Sequence, residues 1–246
     1  MTQSSDLRAQ YRARKAALLQ PIADCGTVTR GIRAALARLS SLTDRTLCTL
    51  WHEAGLASPL ALLAVGGYGR AELFPGSDVD VLLLLPNEQP ALHDDLLKAR
   101  IEAFIGSCWD TGLEIGSSVR TVDECLQEAA RDVTVQTSVL EARLITGNAG
   151  LFDSFQAKYF AALDPRAFFV AKSLELQQRH HKFEDSPYSL EPNCKESPGG
   201  LRDLQVVLWV AKAAGLGDSW ESLGRKGLAT DFEVNKHGLT NNKFGS

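Results

Sequence analysis

Apolar residues recur along this chain at two different periods, and the switches between them mark its organisation. Residues 5–20 are good helix formers running up to Pro21, which predicts a short leading helix. Residues 28–54 place Ile32, Leu36, Leu39, Leu47 and Leu50 near the 3.6 period of an amphipathic helix. At residue 60 the pattern changes. Residues 60–65 form a short continuous apolar run, Gly66-Gly67-Tyr68-Gly69 interrupts it, and residues 79–85 form a second run closed by Pro86. Both read as buried strands, the second too apolar to have a wet face, with residues 71–74 fitting one helical turn between them. Residues 91–110 read as a helix with Leu92, Leu96, Leu97, Ile101, Phe104 and Ile105 turned inward, and residues 112–120 as a third strand. Thr121-Val-Asp-Glu124 is a capping box that opens another helix.

From residue 133 onward the pattern predicts helices only. Asp164-Pro165 is an N-cap followed by proline at the first helical position, starting a helix to about residue 181. A polar connection over residues 186–197 follows. Pro198-Gly-Gly then opens a last helix to Lys212 that buries Leu201, Leu204, Leu208 and Trp209. Residues 231–246 lose all periodicity, and this tail reads as a truncation or a frame change. The organisation expected is an N-terminal helical region over 1–56, a core over 57–132, a helical segment over 133–230 and an irregular tail over 231–246. The fold class is α/β (α+β): a short mixed sheet flanked by helices, with N-terminal helices and a C-terminal all-helical segment.

The second strand opens with Asp78-Val79-Asp80, eleven residues after Gly67. Side chains alternate faces along a strand, so Asp78 and Asp80 point the same way, with Cα atoms about 6.5 Å apart. At an effective dielectric near 20 such carboxylates repel by roughly 2 to 3 kcal/mol. A divalent cation reverses the sign of that interaction, and Mg²⁺ takes one or two carboxylates together with substrate phosphates. Gly66 and Gly67 allow backbone amides to approach those phosphates. Asp-x-Asp alone is common at solvated strand ends, and Gly-Gly alone is a turn. The ordered combination of strand, Gly-Gly, Asp-x-Asp and strand reads as a metal-dependent nucleotide site. No Gly-Lys-Ser/Thr follows at P-loop spacing, and Glu72 stands where a dinucleotide fingerprint needs its third glycine.

Composition narrows the class without naming the reaction. At 246 residues, with 44% hydrophobic and 23% charged, the chain matches ordinary soluble globular proteins. A net charge of −4 argues against a nucleic-acid binder. Five cysteines (Cys25, Cys48, Cys108, Cys125, Cys194) show no Cys-x-x-Cys spacing and suit a reducing cytosol. No secretory signal or membrane-length apolar run is visible, so a cytoplasmic location away from membranes is expected. Arg8, Arg12, Arg14 and Lys15 form a basic helix face, read as a solvated surface.

GGYGRAELFPGSDVDVLLL resembles the nucleotidyltransferase superfamily that includes DNA polymerase β, and within it the PII uridylyltransferases (bifunctional uridylyltransferase/uridylyl-removing enzymes). LEPNCKESPGGLRDLQ, residues 190–205, and EIGSSVRT, residues 114–121, are similar to later segments of that family, with Ser117 where a histidine is expected. The resemblance spans roughly residues 10–230. It implies Mg²⁺-dependent transfer of UMP from UTP to a tyrosine hydroxyl of the PII signalling protein. Asp78 and Asp80 would be the catalytic metal ligands, and Gly66, Gly67, Ser77, Arg70 and Lys195 would bind nucleotide.

Relatives supply a third carboxylate from a neighbouring strand, and that position falls at or near Gly116, leaving Glu114 as the substitute. Arg70 reads equally as a surface arginine. Gly199-Gly200, with Lys195, Arg202 and Asp203, reads either as an anion site at a helix start or as a packing segment. The family also implies a His-Asp hydrolase that removes the uridylyl group. His93-Asp94 is a lone dipeptide without the spaced partners of such a site, and the removing activity is expected to be absent. His180-His181 reads as a helix end that favours the macrodipole or faces solvent. The competing readings are a non-catalytic fragment that binds nucleotide or PII, and an adenylyltransferase acting on glutamine synthetase.

Overall fold

The computed structural model describes residues 2–24, 32–87, 94–182 and 193–237. The chain divides into two compact units, Met1–Tyr159 and Phe160–Ser246.

The first unit is built on a four-stranded mixed sheet in the order β3-β2-β1-β4. β1 (Ala61–Ala64) lies antiparallel to β2 (Val79–Leu85) and to β4 (Arg143–Gly147), and β3 (Ile115–Thr121) runs parallel to β2. Helices α1 (Thr2–Asp24) and α2 (Ile32–Glu53) precede the sheet, and a single helical turn, α3 (Gly66–Gly69), follows β1. α4 (Asp95–Thr111) connects β2 to β3, and α5 (Val122–Arg131) and α6 (Val133–Leu140) connect β3 to β4. Leu62, Ala64, Val79, Val81, Leu83 and Leu85 share one core with Leu39, Leu47 and Trp51 of α2 and Ile101, Phe104 and Cys108 of α4. Trp51 and Phe104 meet edge to face at 5.7 Å, the arrangement that ring quadrupoles favour. β2 is covered on both faces, and Asp80 is its one exposed residue.

Four local expectations are corrected here. The leading helix runs past Pro21 to Asp24, since a proline forfeits one helical hydrogen bond without forbidding another turn. The helical turn after β1 falls on Gly66–Gly69 and not on residues 71–74, where Ala71 at φ 59° breaks helical geometry. Helices alone after residue 133 is overturned by β4, which completes the sheet beside β1. Leu96 is 62% exposed, because α4 begins at Asp95 and its buried stripe starts later, at Ile101, Phe104 and Cys108. The Thr121–Glu124 capping box forms in full. Leu92 and His93 lie outside the described residues, and Asp94 caps α4 by accepting from Leu96 and Leu97 N–H.

The second unit contains α8 (Pro165–Lys182), α9 (Leu201–Ala213), α10 (Trp220–Arg225) and α11 (Asp231–His237), while α7 (Ala149–Ala162) ends in it. Asp164 caps α8 through the N–H groups of Arg166 and Ala167. α9 buries Gln205, Trp209 and Ala213, one i+4 stripe, whereas Leu201 is 40% exposed and Leu204 and Leu208 are half-buried. The expected inward leucine face is therefore rotated, because the stripe starts one turn inside the helix. Part of the tail expected to be irregular forms α11, and residues 238–246 lie outside the described residues. Among the described residues no helix is long and apolar enough to cross a membrane.

Candidate active site

The candidate site forms where β1 ends, β2 begins and β3 begins. Val65 N–H donates to Asp80 O at 3.1 Å, tying the start of the glycine turn to β2. Gly66 has φ +57°, a left-handed conformation that suits glycine. A Cβ there would lie 3.6 Å from Asp80 Oδ2 and 3.7 Å from Ser138 Oγ, so the Asp80 carboxylate stands beside the turn, near a hydroxyl of α6. Gly116 is the register partner of Asp80 across the parallel β2–β3 pair. A Cβ at Gly116 would lie 2.6 Å from Asp80 Oδ1, so the carboxylate occupies space that only glycine leaves open.

Asp78 is exposed and immediately precedes β2, and Val79 N–H donates to Glu114 O at 2.8 Å. Strand alternation puts Asp78 on the face of Asp80. Glu114 is exposed and lines a pocket with Ser77, Tyr11, Lys15 and Phe74. Lys15 is thus half-buried at that pocket, not part of a wholly solvated basic face, while Arg8, Arg12 and Arg14 are exposed. Among the described residues no three His, Cys, Asp or Glu side chains gather as a metal-binding group. The chemistry of the Asp80 carboxylate beside a glycine turn, with Asp78 two positions before it in sequence, fits a Mg²⁺ ion that would complete its shell with phosphate oxygens and water.

Arg70 is 21% exposed and follows the turn. Its Nε donates to Glu72 Oε2 at 3.0 Å, its Nη1 lies 3.6 Å from Oε2 of the nearly buried Glu141, and its Nη2 faces the Cβ position of Gly67 at 3.7 Å. Two carboxylates therefore aim this guanidinium at the turn. A side chain on Gly69 would collide with the Glu141 carbonyl, which fixes how closely the turn packs on the end of α6.

Two residues outside the sequence motifs, Asp44 and Arg143, buttress the turn. The Tyr68 hydroxyl donates to Asp44 Oδ1 at 2.5 Å. Arg143 of β4 donates to both Asp44 oxygens, at 2.9 and 3.1 Å, to Gly69 O at 3.3 Å and to Tyr68 O at 3.4 Å. The Arg143 guanidinium carbon also lies 5.5 Å from the Tyr68 ring centroid. Burial, reinforced by the Asp44 charge, raises the Tyr68 pKa and keeps its hydroxyl a donor. Burial opposes the Arg143 charge, but the hydrogen bonds and charge of Asp44 outweigh it and raise its pKa. Arg143 stood out in sequence only as a charge entering the apolar run Ala142-Arg-Leu-Ile, a position that demands a partner. Asp44 and Ser138 carried no sequence signal.

Lys195 lies in the second unit, exposed, 3.9 Å from Glu196. The Gly199 N–H, which one of the two readings of this segment offered to an anion, donates to Asp203 Oδ2 at 2.7 Å, so the protein's own carboxylate takes that position. His180 lies in the last turn of α8, as the macrodipole reading expects, and its Nε2 is 2.9 Å from Asp203 Oδ1, so it does not simply face solvent. Glu196 joins Arg179 and Arg202, and Glu175 joins Lys172 and Arg179. Lys172 and Arg202 also face the Trp209 ring, at 4.6 and 5.3 Å.

Residues 167–238 match the family model described as GlnD PII-uridylyltransferase. Over 227 residues, 92% of this chain, it is 58% identical to the bifunctional uridylyltransferase/uridylyl-removing enzymes of Burkholderia orbicola (strain AU 1054) and Burkholderia thailandensis. It is 58% identical over 228 residues to the same enzyme of Burkholderia vietnamiensis. The chain spans about a quarter of the length of these relatives, 26% in each case. A stretch of 227 residues in a chain of 246 necessarily includes the glycine turn and both aspartates. Residues 167–238 thus match the GlnD PII-uridylyltransferase family model, within a chain similar over 92% of its length to part of the bifunctional uridylyltransferase/uridylyl-removing enzymes.

Proposed function

We propose that this chain transfers UMP from UTP to a tyrosine hydroxyl of a PII signalling protein, with Mg²⁺ held by Asp78 and Asp80. The observation that carries this reading is the setting of Asp80: its carboxylate lies between Gly66 and Gly116, beside a turn whose amides can reach phosphates. The identity to enzymes named for uridylyl transfer supports the uridylyl group, and the family description matched by residues 167–238 supports PII as the partner.

In this reading the acceptor oxygen forms a bond to the α-phosphorus while the α–β bridging P–O bond breaks, and pyrophosphate leaves as the hydroxyl proton is lost. Bound Mg²⁺ supplies charge neutralisation on the phosphates and lowers the pKa of the attacking hydroxyl. Asp78 and Asp80 hold the cation. Gly66 and Gly67 present backbone N–H groups to the β- and γ-phosphates, and Ser77 adds a hydroxyl. Arg70, aimed by Glu72 and Glu141, offers positive charge where the leaving group gathers negative charge. Cys48, Cys108, Cys125 and Cys194 form no disulfide among the described residues, which suits a reducing cytoplasm.

The test is the intact mass of purified PII after incubation with the chain, Mg²⁺ and either UTP or ATP. A uridylyl-sized gain with UTP that disappears on chelation is the expected result. A gain only with ATP replaces the base assignment, and no gain with either nucleotide overturns the transferase.

A further inference from the structure

We infer that Asp44 and Arg143 are positioning residues for the phosphate-binding turn, acting through Tyr68. The inference rests on the nucleotidyl-transfer reading of the site. A turn that offers backbone amides to phosphates must hold those amides in place before the ligand arrives, because misdirected dipoles lose most of their effect. Glycines cannot do this for themselves, since Gly66 and Gly67 are the residues with the most backbone freedom.

The structure supplies the missing rigidity from outside the turn. Arg143 donates to the carbonyls of both Tyr68 and Gly69, the last two residues of α3, and so fixes the far end of the turn. Its planar fork is held in turn by both oxygens of Asp44, and Asp44 accepts the Tyr68 hydroxyl. α2, α3 and β4 are thereby joined at one carboxylate. Lysine cannot reproduce this, because a single ammonium lacks the planar geometry that spans two carboxylate oxygens and two carbonyls. None of these three side chains lies among the groups assigned to metal or phosphate, so their effect reaches the nucleotide only through the turn.

The experiment measures binding of α,β-methylene-UTP with Mg²⁺ by calorimetry, alongside KM for UTP, KM for PII and the melting temperature. Wild type, Arg143→Met, Arg143→Lys and Tyr68→Phe are compared. Loss of the clamp is expected to weaken nucleotide binding about tenfold in Arg143→Met, with KM for UTP rising in step and KM for PII staying within about twofold. Arg143→Lys and Tyr68→Phe should shift the same way by less. Nucleotide affinity at the wild-type level in a folded Arg143→Met overturns the inference. Should that variant not fold, wild-type affinity in both Arg143→Lys and Tyr68→Phe overturns it equally. A parallel rise in both KM values that tracks the fall in melting temperature assigns the cluster a purely structural role and also overturns it. Wild type that binds no Mg²⁺-nucleotide removes the nucleotide site itself, a result distinct from a bound wild type with unaffected variants.

Discussion

Gly116 faces Asp80 across the parallel strand pair, and a methyl group there would stand 2.6 Å from Oδ1. The carboxylate would have to swing away, while alanine in a strand avoids the entropic cost of glycine. Gly116→Ala should therefore leave the melting temperature unchanged or slightly raised and lower the transfer rate by about a hundredfold, the scale of a misplaced reacting group. Normal turnover in a folded Gly116→Ala would show that the Asp80 position is not critical. That Asp80 enters a strand beside the Gly66 turn was legible because local rules suffice for it: an apolar run marks the strand and glycine marks the turn. Asp44 and Arg143 were not legible because they meet across 99 positions of sequence, and no local pattern encodes such a pairing. Gly116 was recognised as the place of an absent carboxylate. Its role in leaving room for Asp80 needed the register.

At the scale of elements, β2 is the strand on which the site depends, and it is held by the core between the sheet, α2 and α4. Phe104 is fully buried there against the edge of Trp51. Phe104→Ala should cost about 3 to 5 kcal/mol in the unfolding of the first unit, read by denaturant titration. A cost below about 1 kcal/mol would mean that this core does not carry the sheet. The long periodic helices and the two apolar strands were legible because period and length agreed over many residues. β4 was not, since five residues opening with an arginine give too short a signal, and only pairing with β1 makes them a strand. The helix faces erred at their first turns. Leu96 and Leu201 have the right hydropathy for a core, but each stands before the buried stripe of its helix begins.

At the scale of the molecule, acid sensitivity should divide along the charge network of the second unit. Burial works against the charge of Glu175, but hydrogen bonds from Lys172 and Arg179 outweigh it and hold its pKa below the usual carboxylate value. Glu196 is lowered likewise: burial opposes its charge, and hydrogen bonds and charge from Arg202 with Arg179 prevail. Lys172 is pulled down by burial more than Glu175 restores it, so the carboxylate gains more from the pair than the ammonium does. A folded pKa below the unfolded one contributes stability that is present above the ordinary carboxylate range and lost as pH falls through the folded value. Glu175→Gln should therefore be less stable than wild type near neutral pH, with the gap closing as pH falls through and below the ordinary carboxylate range. A gap that stays constant with pH would exclude this linkage. The central claim is tested most directly by the intact mass of PII after incubation with Mg²⁺, UTP and either wild type or Asp80→Asn, with the folding of both checked by melting temperature. The account predicts a uridylyl-sized gain from wild type and a rate at least about a hundredfold lower from a folded Asp80→Asn. Equal gains from both would contradict the assignment of Asp80 as a metal ligand, and no gain from a folded wild type would contradict the transferase itself.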